Sequence, residues 1–300
     1  MDTPAPSGRW TAPAAIAVFA IAVTLRIPSC YESFWLDELH SAWTVWDSLY
    51  EVLPRADVGH QTPFYFTGLW FWKQLLGGTE LAMRSSSVLA VSAACVVLTI
   101  GVASWARSVV AGTTAGLVMA VENNSLFFGT ELRPYAFVIF FASIALICFL
   151  NLFVVDARQS NWRAWIGLIV SILLAGLCQP TALGILGWLP IVLCIVWVWR
   201  SPGKMLRADL ADGLLALLSA GVGIAIWQMT LGETWSERSA WASFARASQL
   251  RQVKEVWDWN PLLVCPLTML VVAAATGWLL GRKHLAVEGY DGDAVQGRAG

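Results

Sequence analysis

Apolar residues run along this chain in long blocks, not in the short alternating patches of a soluble fold. A helix that crosses a bilayer needs about 20 apolar residues. Blocks near that length lie at 10–29, 85–106, 134–155, 162–178, 181–200, 211–231 and 261–281, with a shorter one at 108–121 that can run on to 129. This pattern predicts an all-α, polytopic transmembrane bundle of about eight spans. The run Thr11–Leu25 follows Arg9 and no A-x-A site comes after it, so it reads as a retained anchor and not a cleaved signal.

Two weaker patterns lie between the first and second blocks. Leu36, Leu39, Trp43, Trp46, Tyr50 and Leu53 recur at steps of three and four, which places them on one helical face, with Asp47 and Glu51 off that face. An amphipathic helix lying in the membrane interface is expected there. The segment 62–76 is apolar but short, and reads either as a second interfacial helix or as a ninth span. Segment 232–260 mixes Trp235, Trp241, Phe244, Trp257 and Trp259 with charges, and also suits the interface.

Composition supports the membrane reading. The chain is 57% hydrophobic and 13% charged, too few charges to cover a soluble domain of this length. The net charge of −1 provides no basic footprint for nucleic acid. The 18 Trp suit membrane–water boundaries. The six Cys form no C-x-x-C pair and mostly sit within apolar runs, as small packing residues do.

Charge placement orients the chain. If 62–76 does not span, Arg9, Arg107, Arg158, Arg163, Arg200, Lys204, Arg207, Arg282 and Lys283 share one side. Short cytoplasmic loops collect such residues, so a multi-pass protein of the cell (inner) membrane with both termini cytoplasmic is expected. Segments 30–84 and 232–260 then face outward. The domain expected is 1–281, with 282–300 as a disordered cytoplasmic tail.

Polar residues with chemical potential gather on that outward face. Asp37 and Glu38 are adjacent carboxylates after the first span. A carboxylate tuned by low dielectric and a like-charged neighbour can accept a proton from an attacking hydroxyl; Asp37 as a plain helix cap is an equal alternative. Glu131, Arg133 and Tyr135 open the 134–155 block, where an Arg fork and a helix N-terminus can hold a phosphate. A structural Glu131–Arg133 pair is again an equal alternative. His60, Gln61 and Tyr65 open the 62–76 helix, and Gln179 sits at a break on the same side. Glu80 and Arg84 are spaced to pair across one helical turn.

The order of these motifs resembles the GT-C superfamily of membrane glycosyltransferases, above all its bacterial branch related to protein O-mannosyltransferases and lipid A aminoarabinose transferases. Trp35-Leu36-Asp37-Glu38 matches the family's W-L-D-E segment, and Gln61-Thr62-Pro63-Phe64-Tyr65-Phe66 its H-P-P-L-Y-Y segment, with Gln61 in place of His. Gly77 to Arg84 matches G-x-x-E-L-A-x-R, and Glu131 to Ala136 matches E-A-R-P-Y-A. Gln179 stands where relatives often carry His before Pro-Thr. The resemblance covers residues 10–200. It implies a GT-C-like fold and transfer of a sugar from a polyprenyl-phosphate donor to a lipid, glycan or protein acceptor at the outer face. It implies Asp37 as general base, Glu38 as its assistant or a metal ligand, and Arg133 with Arg84 on the departing phosphate. Many relatives use or tolerate a divalent metal ion. Two other function classes compete. A flippase for lipid-linked sugars would favour mid-membrane charges, of which Arg26 is the one example; a non-catalytic membrane subunit would bind no donor.

Overall fold

The computed structural model of the protein describes residues 8–59, 61–154 and 162–187, together with Leu189. Every regular element among them is helical. In chain order these are α1 (Gly8–Arg26), a 3-10 turn (Pro28–Tyr31), α2 (Leu36–Thr44), α3 (Leu49–Val58), α4 (Pro63–Leu76), α5 (Glu80–Ala106), α6 (Val109–Val121), α7 (Asn123–Thr130), α8 (Tyr135–Val154), α9 (Trp162–Cys178) and α10 (Thr181–Leu186).

Three helical stretches are long and apolar enough to cross a membrane: Trp10–Tyr31, Glu80–Ala106 and Tyr135–Leu152. Helices α6 and α9 are apolar but shorter; the 17 residues of α9 span about 25 Å at 1.5 Å per residue. The expected spans 211–231 and 261–281, segment 232–260 and the tail lie outside the described residues, as does most of 181–200.

Helix α5 is the centre of the bundle and packs on α1, α4, α6, α7 and α8. Its buried positions are mostly small: Ser86, Ser87, Ala90, Ser92, Ala94, Cys95, Thr99, Gly101 and Ala103. Lipid tails are as apolar as leucine, so helices in a membrane gain most from close backbone approach between small residues. On α6 the facing stripe is Gly112, Gly116 and Ala120. A Cβ on Gly112 would lie 2.2 Å from the Thr99 carbonyl oxygen, and one on Gly116 would lie 2.0 Å from Thr99 Oγ1. Thr99 satisfies its hydroxyl by donating to the Cys95 carbonyl at 2.8 Å.

The 108–121 block does continue, but as a broken helix. At Glu122 the chain leaves helical geometry, and the Glu122 carboxylate accepts from Asn124 N at 3.0 Å and Ser125 N at 2.7 Å. This caps α7, which continues the chain from α6 toward α8. Ser125 then accepts from Arg26 Nη2 at 2.6 Å, and Arg26 Nη1 donates to the Ala22 carbonyl at 2.8 Å. Arg26 is fully buried and crosses the face of Gly129.

The amphipathic seam at 36–53 is two helices, not one. The chain turns at 45–48, where Lys73 donates to the Val45 and Trp46 carbonyls and Trp70 Nε1 donates to the Asp47 carbonyl. Side chains from α4 thus satisfy the peptide groups that the break exposes. The seam survives the turn: Leu36, Leu39, Trp43, Trp46, Tyr50 and Leu53 are all exposed. Asp47 and Glu51, off the seam, both pair with Arg55. Helix α4 has 14 residues, about 21 Å, and ends at Gly77, whose φ of +92° suits glycine.

Candidate functional site

The polar residues collect at one end of the bundle, where α1, α7 and α9 end and α2, α4, α5 and α8 begin. Glu38 and Arg84 form its anchor. Arg84 Nε donates to Glu38 Oε1 at 2.8 Å and Arg84 Nη2 to Oε2 at 2.5 Å. Glu38 also accepts from Leu132 N at 2.8 Å and from Trp35 N at 3.2 Å, so it caps α2 and ties down the α7–α8 linker. The remaining Arg84 donors reach the carbonyls of Ser29, Cys30, Glu32 and Ser33. Both side chains are buried, at 4% and 0% exposure.

This arrangement corrects three expectations. Arg84 pairs with Glu38 and not with Glu80. All of its donors are engaged, so none is left for a departing phosphate. Both oxygens of Glu38 are occupied, so it is a brace and not a free assistant or metal ligand.

Its neighbour Asp37 is more exposed and takes a different partner. Arg133 Nη1 lies 3.0 Å from Asp37 Oδ2, with Asp37 46% and Arg133 13% exposed. The structural Glu131–Arg133 pair is therefore replaced by an Asp37–Arg133 pair. Asp37 is not the cap of α2; that position is Trp35. The Arg133 guanidinium also lies 5.6 Å from the Tyr135 ring centroid, over its face.

Several buried polar atoms have no hydrogen-bond partner: Arg133 Nε itself, His40 Nε2 and Tyr65 Oη, both of which feel the Arg133 charge, and Gln61 Oε1. Buried polar atoms are nearly always paired, so a group of open ones marks a place that a ligand or water fills. His40 is held by close packing. Its Nε2 sits where a Cβ on Gly59 would be only 2.2 Å away, and its ring meets Phe66 edge-on. Burial lowers the His40 pKa, the Arg133 charge lowers it further, and Asp37 pulls it back. Burial raises the Tyr65 phenol far above its usual range. Tyr65 stacks edge-on with Phe66 and Phe137.

Two cavities flank the cluster. One is an apolar groove of about 550 Å³ between α4, α5, α8 and α9, lined by Tyr65, Phe71, Trp72, Leu89, Phe140 and Cys178 among others. The other, of about 390 Å³, is polar and lies where the 3-10 turn, α2 and α7 meet; Glu32, Glu131, Asn123 and Thr130 are among its walls. Glu131 is 6% exposed. Its pKa is pushed up to about 7, first by burial and then by the Glu38 charge, with Asp37 adding to the rise and Arg133 and Arg84 opposing it.

The remaining expected residues are less engaged. Thr62 donates to the Leu177 and Cys178 carbonyls, which brings the 61–65 and 178–179 segments together. Gln179 closes α9 there through its N–H to Ala175 O at 2.8 Å. His60 lies outside the described residues. His40 was not among the expected residues; its position one turn after Asp37 was the available signal. Among the described residues no group of three or more His, Cys, Asp or Glu side chains is placed to hold a metal ion. Ser125 of the Asn123-Asn124-Ser125 segment is buried against Arg26.

Comparison with protein-family models, with curated proteins and with solved structures finds no match to this chain.

Proposed function

We propose that this protein is a membrane glycosyltransferase of the GT-C type, moving a sugar from a polyprenyl-phosphate donor to an acceptor hydroxyl at the outer face. The observation that carries the reading is the Asp37–Arg133 pair, with the unpartnered Arg133 Nε and the open polar atoms of His40 and Tyr65 in its electrostatic reach, and Tyr65 on the wall of an apolar groove. A lipid-phosphate sugar has matching parts: an anion for a guanidinium, hydroxyls for polar atoms and an isoprenoid chain for the groove.

In this reading the donor phosphate engages Arg133 through its open Nε and draws its fork away from Asp37. The freed Asp37 carboxylate accepts the proton as the acceptor O–H bond breaks. The acceptor oxygen bonds to the sugar's anomeric carbon. The bond from that carbon to the phosphate oxygen breaks, and its electron pair leaves on polyprenyl phosphate. Arg133 meets the charge that develops there. Gln61, Tyr65 and His40 contact the sugar, while Tyr135 steadies the Arg133 guanidinium. Glu38 and Arg84 hold the start of α2, which presents Asp37.

Binding of a radiolabelled polyprenyl-phosphate sugar to purified protein tests the donor half of this account. Wild type and Asp37→Asn are expected to bind alike, and Arg133→Met at least about tenfold more weakly, the loss of a charge-assisted contact. No binding by wild type would favour the non-catalytic subunit. Donor flux across vesicles with no transfer product would favour the flippase.

A further inference from the structure

The polar cavity at the head of α7 is separate from the Asp37–Arg133 pair, since neither residue lines it. Its charged walls are Glu32, Glu38, Glu131 and Arg84. Arg84 and Glu38 neutralise each other, so the cavity is left with two carboxyl groups and no free cation. Its other polar walls are Ser29, Asn123 and Thr130. Leu25 of α1 and Phe127 of α7 also line it, and are 45% and 53% exposed. These two exposed apolar side chains form an apolar edge to an otherwise polar cavity.

Glu131 is the unusual member. More than nine-tenths buried, it lines the cavity, and among the described residues it has no hydrogen-bond or ion-pair partner. An ionised carboxylate in such a place is costly unless a cation or donor meets it.

We propose that this cavity binds a primary ammonium group, with the Glu131 carboxylate as its counter-charge and Ser29, Asn123 and Thr130 as acceptors for its N–H bonds. The wall chemistry selects this ligand over two others. An anion such as a phosphate would face two carboxyl groups with no free cation to offset them. A divalent metal would need three or more converging ligands, which are not found among the described residues. An –NH3+ group has three donors and no acceptor, and requires only one buried charge with neutral acceptors around it. The ammonium can come from a soluble amine or from an aminophospholipid headgroup entering past Leu25 and Phe127. The inference does not depend on the glycosyltransferase reading.

Binding is linked to protons. Without ligand, burial and the Glu38 and Asp37 charges keep Glu131 protonated up to about pH 7, against Arg133 and Arg84. Glu32 is the other carboxyl on the cavity wall. An arriving ammonium favours the carboxylate, so affinity rises with pH up to about 7 and then levels off, falling about tenfold for each pH unit below it.

The test is retention of phosphatidylethanolamine against phosphatidylcholine by the intact purified protein, read by mass spectrometry at pH 8 and pH 6, with ethanolamine as competitor. A quaternary choline has no N–H to donate. Wild type is expected to prefer phosphatidylethanolamine by about tenfold at pH 8, with the preference reduced at pH 6 and lost in Glu131→Gln. Displacement by ethanolamine identifies the ammonium alone as sufficient; retention despite ethanolamine identifies the lipid headgroup, and either supports the site. Equal retention of the two lipids by wild type overturns it, as does a preference that survives in Glu131→Gln. The glutamine mimics the protonated carboxyl and so should fold. If it does not, a wild-type preference unchanged between pH 8 and pH 6 overturns the proposal by itself.

Discussion

Replacing Glu38 by alanine tests whether the site is built on the brace described here. The carboxylate is fully buried and accepts four hydrogen bonds, two of them from Arg84. Its removal leaves the Arg84 guanidinium, 4% exposed, without a counter-charge, and Leu132 N–H without its acceptor. Breaking one side of a buried ion pair costs about 3–5 kcal/mol, and an orphaned buried N–H adds about 1–3 kcal/mol. The carbonyls of Ser29, Cys30, Glu32 and Ser33 still solvate Arg84 and offset part of this. The expected loss is about 3–5 kcal/mol overall. Reversible denaturation with SDS in bicelles, followed by tryptophan fluorescence, measures it. Asp47→Ala, which breaks an exposed pair with Arg55, is the control and should cost no more than about 1 kcal/mol. Adding Arg84→Met to Glu38→Ala should cost at least about 1 kcal/mol less than the sum of the single changes, because the two groups are coupled. A Glu38→Ala cost below about 1 kcal/mol, equal to the control, would refute the brace.

Other consequences follow from the same packing. Gly112→Ala places a Cβ 2.2 Å from the Thr99 carbonyl oxygen, so α5 and α6 must separate, at a cost of about 1–3 kcal/mol in the same denaturation assay. Gly68→Ala meets nothing within 4 Å and should be neutral or slightly stabilising, by up to about 1 kcal/mol, through helix propensity. Gly59→Ala drives the His40 ring from its place; the histidine pKa, read by NMR, should rise toward its ordinary value as burial is relieved. For Glu131 the folded pKa of about 7 lies above its unfolded value. The folded state therefore holds the extra proton between about pH 4.5 and pH 7, and stability falls across that window as pH rises. Glu131→Gln should flatten that fall.

The bundle was legible because its signal is long-range and redundant. Twenty apolar residues in a row admit few readings, and the expected 162–178 block is α9 to the residue. The seam at 36–53 predicted the exposed face correctly but not the break within it, because the break depends on Lys73 and Trp70 reaching across from α4. The same limit applied at the site. Sequence spacing suggested Glu80 for Arg84 and Glu131 for Arg133, since only near neighbours are visible along a chain. The real partners, Glu38 and Asp37, come from α2 and are brought close only by folding. The adjacent carboxylates take different partners, Glu38 in a buried brace with Arg84 and Asp37 in a more exposed pair with Arg133. His40, one turn beyond Asp37, could have been found from helical spacing.

The most direct test of the central claim is a turnover assay. Purified protein in bilayer discs is given a polyprenyl-phosphate sugar and a hydroxyl acceptor, and release of polyprenyl phosphate is followed for wild type and Asp37→Asn. Loss of a general base slows transfer by about 100-fold or more, so the account predicts a fall of that size in Asp37→Asn, with donor binding unchanged. Equal turnover by the two proteins would contradict the assignment of Asp37 as the base.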